Sequence, residues 1–181
     1  DIKPGSIFVY HDATCRLGSF GLSCRFSDAF SQTRLTVSGG TPAWMSPEHT
    51  TRTQRPVDSR SDLYSLGMVL YELLTGRLPF ELGADDQTNW AHYHIASEPL
   101  APDVIRPDVP GMLSTILLKL LEKPPDNRYQ TVDGLIADLR RCQATLTGDG
   151  EIATLNPGQQ DRTPAIHLAD SLFATHPQAN D

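Results

Sequence analysis

The chain has 181 residues, 39% of them hydrophobic, and a formal net charge of -7 at neutral pH. That is enough for one domain with a real core, and too apolar for a disordered chain. Basic residues form no long run, so nucleic acid and acidic membrane surfaces are excluded as natural partners, and no apolar run approaches the roughly 20 residues of a membrane span.

Position 1 is Asp rather than Met, which reads as a fragment of a longer protein or a truncated gene model. Ser6 to Tyr10 is rich in β-formers, His11 to Thr14 is polar, and Cys15 to Leu17 can return as a second strand. A small hairpin is predicted there. Ser23 to Gly40 is polar and lacks a steady period, as a long loop does. Leu63, Leu66, Gly67, Leu70, Leu73 and Leu74 then recur at helical spacing. Ser61 or Asp62 is the predicted N-cap, and Gly76 the left-handed stop before Pro79. Met68 and Val69 make this helix apolar on more than one face, which predicts a central, buried position.

Asp85 to Ser97 is predicted as a shorter helix carrying Trp90, Tyr93 and Ile95. Pro99, Pro102, Pro107 and Pro110 predict a rigid extended connection. Met112 to Leu121 forms another helix, ended by Pro124-Pro125-Asp126-Asn127. Thr131 caps a last helix through Val132, Leu135, Ile136 and Leu139, ending near Cys142. After Gly148 the pattern fails, and residues 146–181 read as a linker or disordered tail. Cys15, Cys24 and Cys142 are odd in number and lack metal-like spacing, so reduced, structural cysteines in a cytoplasmic protein are expected. The six histidines do not cluster, and Glu72 reads as a polar-face residue of the long helix.

Several short strings stand in a telling order. Asp1-Ile2-Lys3-Pro4 is followed by Ser19-Phe20-Gly21-Leu22, then Gly40-Thr41-Pro42-Ala43-Trp44-Met45-Ser46-Pro47-Glu48. Ser61-Asp62-Leu63-Tyr64-Ser65-Leu66-Gly67 leads into Tyr71 to Phe80, and Asp126-Asn127-Arg128-Tyr129 closes the set. Over residues 1–145 this series resembles the C-terminal lobe of the Ser/Thr protein kinases, from catalytic loop through activation segment to helical subdomain. The fold it implies is mainly α, a small β-hairpin plus a helix bundle, with the N-terminal lobe missing. Arg55 to Tyr64 and Gly158-Gln159-Gln160-Asp161 look like the kinase-like region of large hybrid sensor histidine kinases. That likeness implies further domains downstream, although no P-loop string occurs here.

The resemblance assigns roles residue by residue. Asp1 matches the catalytic-loop Asp that orients the substrate hydroxyl and accepts its proton, and Lys3 the Lys that contacts the transferring phosphate. Thr41 matches the Thr that helps place Ser/Thr substrates. Glu48 and Arg128 correspond to a buried ion pair. Asp62 matches the helix-start Asp that accepts hydrogen bonds from the catalytic-loop backbone. Ser31, Thr33, Thr36 and Ser38 fall in the activation loop and read first as solvated hydroxyls.

Two positions depart from the family. Ser6 stands where it has Asn, and Ser19 where it has the Asp of Asp-Phe-Gly; both bind magnesium there. A Ser hydroxyl carries no formal charge, whereas magnesium prefers charged oxygen. Asp12 and Asp28 lie at positions the family would not predict for a ligand. The resemblance therefore implies ATP and magnesium as family cofactors, neither expected on this fragment. It implies a protein substrate or signalling partner, and a pseudokinase that docks rather than an enzyme. The alternative is an active kinase in the full-length protein.

Overall fold

Helix α1 (Ser59–Thr75) is the axis of the fold. A computed structural model describes it together with residues 1–23, 40–50, 52–53, 55–80, 89–148 and 156–161. Cys24, Asp28 and the hydroxyls at positions 31, 33, 36 and 38 lie outside the described residues, as does the start of the helix predicted over 85–97. Helices α2 (Trp90–Ala96), α3 (Pro102–Ile105), α4 (Gly111–Leu120) and α5 (Val132–Leu146) follow α1 in chain order. A two-stranded antiparallel hairpin precedes them, β1 (Ile7–Val9) and β2 (Cys15–Leu17), with Ile7 opposite Leu17 and Val9 opposite Cys15. The described chain is thus mainly helical with one small sheet, the expected fold class.

The cap of α1 is Asp58, three residues before the earliest residue predicted. Its carboxylate accepts from Arg60 N–H at 2.9 Å, leaving Ser61 and Asp62 inside the helix. Asp58 also grips the Arg60 guanidinium, so cap and first turn are fixed together. The C-terminal stop is Gly76 at φ +76°, its N–H returned to Glu72 O at 2.8 Å, a conformation that favours Gly.

Leu63, Tyr64, Met68, Val69 and Tyr71 are all buried, so α1 is covered on several sides. One cluster gathers Leu63 with Ile116, Leu117 and Leu120 of α4, Tyr129, and Leu135 and Cys142 of α5. A second gathers Tyr64, Met68 and Tyr71 with Phe80 and Leu121. Each fully buried Leu or Met contributes roughly 1.5–3 kcal/mol. The helices meet closely because Gly67 lacks a side chain: a Cβ there would lie 2.8 Å from Leu120 Cβ and 3.2 Å from Leu121 Cδ2. Gly67→Val should therefore destabilise the protein by about 1–3 kcal/mol through overpacking, seen as a lower midpoint in urea unfolding.

The proline-rich connection is not extended throughout. Pro102 supplies the first residue of α3, where its missing N–H costs nothing. Thr131 caps α5 as expected, accepting from Gly134 N–H at 3.0 Å, but α5 runs on to Leu146 rather than stopping near Cys142. Cys142 is buried, whereas Cys15 is exposed on the hairpin, against the expectation of a structural role. Residues 156–161 form a turn that returns to α5, within the span read as linker or tail.

Candidate functional site

Asp1, Lys3 and Thr41 meet at the start of the chain. Lys3 Nζ donates to Asp1 Oδ2 at 2.6 Å and to Thr41 Oγ1 at 2.7 Å. Thr41 N–H donates to Asp1 Oδ1 at 2.9 Å. One ammonium and one amide thus fix the Asp1 carboxylate, whose side chain is only 13% exposed. Gly40 lets the chain reach this point: it sits at φ +119°, and a Cβ there would lie 2.9 Å from Met45 Cε.

Thr41 begins a turn, Pro42–Trp44, that two helices hold. Trp44 Nε1–H donates to Glu72 Oε2 of α1 at 3.1 Å. Glu72 is therefore a positioning group for this turn and not merely a polar-face residue. His94 of α2, fully buried, contacts Pro42 O through Nε2 at 2.8 Å and Tyr64 Oη through Nδ1 at 3.0 Å. A carbonyl can only accept, so Nε2 carries the proton and Tyr64 donates to Nδ1. Burial lowers the His94 pKa to about 4, although its bond to Pro42 O acts the other way. The ring is neutral at pH 7.

Glu48 and Arg128 pair at 2.7 and 2.8 Å, their side chains 1% and 0% exposed. Ser61 O–H donates to Glu48 Oε1 at 2.6 Å. The remaining Arg128 N–H groups reach the carbonyls of Glu122, Arg60 and Lys123 at 2.8–3.0 Å. All five guanidinium donors are used. The pair joins Pro47–Thr50, the turn after the Thr41 segment, to the α4–α5 connection.

Ser6 and Ser19 are placed differently from each other. Ser6 is fully buried, and its hydroxyl is engaged by the backbone: it accepts from Lys3 N–H at 3.0 Å and donates to Lys3 O at 2.9 Å. This contact shapes the loop that carries Asp1 and Lys3. Gly18 N–H donates to Ser6 O at 2.8 Å, so the same residue also anchors the hairpin exit. Ser19 is exposed in the left-handed region at φ +63°.

Ser19, Phe20, Asp1, His49 and Asp62 line one cavity of about 300 Å³. Among the described residues no hydrogen bond reaches the Asp62 carboxylate. It faces Asp1 and Ile2 across the cavity without bonding their backbone. Partial withdrawal from water raises its pKa, against the pull of His49. Burial lowers that of His49, whose Nδ1 meets Ser46 Oγ at 2.7 Å. Asp12 is turned to its own hairpin, accepting from Thr14 N–H and O–H.

Comparisons with known proteins identify the family. The family described as protein kinase domain matches residues 1–138. A probable serine/threonine-protein kinase of Streptomyces coelicolor is 38% identical over 143 residues, 78% of this chain and 21% of the relative. Serine/threonine-protein kinase PknB of Mycobacterium leprae is 38% identical over 144 residues, 80% of this chain and 22% of PknB. Hybrid signal transduction histidine kinase G of Dictyostelium discoideum is 46% identical over 110 residues, 61% of this chain and 3% of the relative. The chain thus spans about a fifth or less of the length of these relatives. With a family match over residues 1–138, about three quarters of the chain, the chain belongs to the protein kinase domain family.

Proposed function

We propose that this kinase domain is degenerate and acts as a signalling or docking pseudokinase towards a protein partner in the cytoplasm. The observation that carries the reading is the state of Ser6: its hydroxyl is buried and committed to the backbone of Lys3. It cannot also serve as a ligand facing a nucleotide. Ser19 offers one neutral hydroxyl. This donor set does not suit magnesium, which takes charged, near-octahedral oxygen. Loss of metal-assisted charge stabilisation removes several kcal/mol from the transition state, and each roughly 1.4 kcal/mol is tenfold in rate.

A second reading is an active Ser/Thr kinase, favoured by the intact Asp1–Lys3–Thr41 cluster. Phosphate transfer to protein hydroxyls, assayed with the full-length product containing this chain, decides between them. The expected result is no transfer above background. Robust transfer that vanishes in Asp1→Ala overturns the pseudokinase reading. The isolated chain should also show no rise in Tm with millimolar ATP and magnesium. A ligand present at a hundred times its Kd would add about 2.7 kcal/mol, a shift of several degrees.

A further inference from the structure

The turn Asn156–Asp161 and the corner of the domain beneath it are built for each other. Asp161 Oδ1 accepts from Thr131 O–H at 2.6 Å, and Oδ2 accepts from Gln130 N–H, at the head of α5. At its other end the turn donates Gly158 N–H to Asp138 Oδ2 at 2.7 Å. Asp138 is fully buried and otherwise holds Tyr129 O–H at 2.8 Å. Its second oxygen has no hydrogen bond, and Arg141 stands 3.7 Å from it. A buried carboxylate needs each donor it can find, and the turn supplies one of them.

Shape supports the same conclusion. A Cβ on Gly134 would fall 2.5 Å from Asp161 Cγ. A Cβ on Gly158 would fall 2.6 Å from Lys119 Cε, and Gly158 sits at φ +79°. Both sides of the contact therefore leave out a side chain where the other side needs the room. The turn closes on itself through Asp161 N–H to Gly158 O at 3.0 Å. It lies beyond residue 138, where the family match ends.

We propose that the corner formed by Gln130, Thr131, Gly134 and Asp138 is a docking surface for a Gly-x-x-Asp turn, and that its occupant is the chain's own Asn156–Asp161. The turn clasps the segment after the kinase fold onto the α4–α5 face. Asp161, the last residue of the turn, is thereby held beside Thr131 at the head of α5 rather than off the helix's far end. The reach suffices: α5 is 15 residues, about 22 Å, and residues 147–155 can extend to about 30 Å.

Amide hydrogen exchange by NMR on the whole 181-residue chain tests this, comparing wild type with Asp161→Ala and Gly134→Ala. In wild type the Gln130 and Gly158 amides are expected to be protected. Each variant should speed exchange at both amides by about tenfold or more, leaving α1 amides within about twofold. The α1 amides report whether the variants still fold, and Asp161→Ala removes no core atom. An unprotected Gly158 amide in wild type overturns the proposal. So does a change in Asp161→Ala no greater at Gly158 than in α1. Protection that grows with chain concentration also overturns it, because the occupant would then be the turn of another copy.

Discussion

Arg128→Met lowers the unfolding free energy by about 3–5 kcal/mol, read as a fall in urea midpoint with an unchanged slope. The size follows from what remains. Glu48 would be left at 1% side-chain exposure with Ser61 O–H but no cation for its carboxylate. Three backbone carbonyls, of Glu122, Arg60 and Lys123, would lose their donor. The guanidinium carbon, 4.9 Å from the Tyr64 ring centroid, would no longer lie over its face. Glu48→Gln with Arg128→Met should cost less than the sum of the single changes, since the second removes a charge already stranded. The acid limb moves too. Burial pushes the Glu48 pKa up, but Arg128, with Ser61 O–H and the Glu48 backbone, outweighs it and holds the group below 4.5. Its contribution is thus present above pH 4.5 and lost as pH falls through the lower folded value. In Arg128→Met burial is opposed only by the Ser61 O–H and the Glu48 backbone, and that loss begins at higher pH.

Wild-type stability is expected to decline between pH 6.5 and about 4 through His94, and His94→Gln should flatten that part of the profile. In the unfolded chain the imidazole takes up its proton near pH 6.5, whereas in the folded protein it does so at about 4. Between these values the unfolded state binds more protons, so stability falls as pH falls. Above 6.5 both states are neutral and the group contributes no slope. The gap between 6.5 and about 4 corresponds to at most roughly 3–4 kcal/mol. Gln can still donate to Pro42 O and accept from Tyr64 O–H, so the substitution removes the titration and keeps both bonds in kind. Urea unfolding at intervals from pH 7.5 to 4 measures it. A slope unchanged in His94→Gln would place the titration on another group.

What could be read in advance was whatever repeats locally. The three- and four-residue spacing of Leu63, Leu66, Leu70 and Leu74 gave the central helix. The Thr131 cap and Gly76 stop held because their partners lie within four residues. Asp58 displaced the expected cap although its bond to Arg60 N–H is just as local, because Asp58, Ser61 and Asp62 are all capping residue types and the leucine spacing does not mark which of them starts the helix. Pro102 falls in the predicted rigid extended connection, although proline also suits a helix start. Glu72 and His94 had no local signature: each acts on Trp44 or Pro42, 28 and 52 residues away. The meeting of Asp1, Lys3 and Thr41 was legible only through a family likeness, since nothing in their spacing brings Thr41 back across 38 residues to Lys3. The commitment of the Ser6 hydroxyl to Lys3 could not be told from its letter.

Residues 48 and 128 are joined across 80 positions of sequence, and that makes their ion pair a non-covalent staple. The described cysteines, Cys15 and Cys142, are both free, so this staple has the topology that a disulfide would have elsewhere. The loop it closes contains α1 to α4, so the turn at Pro47–Thr50 cannot swing out while that loop stays shut. Fraying there is not a low-cost local event but shares the cooperative opening of the helical core. The His49 amide, bonded to Ser46 O at 3.1 Å, should then report the unfolding of the whole domain although it sits in a single short turn.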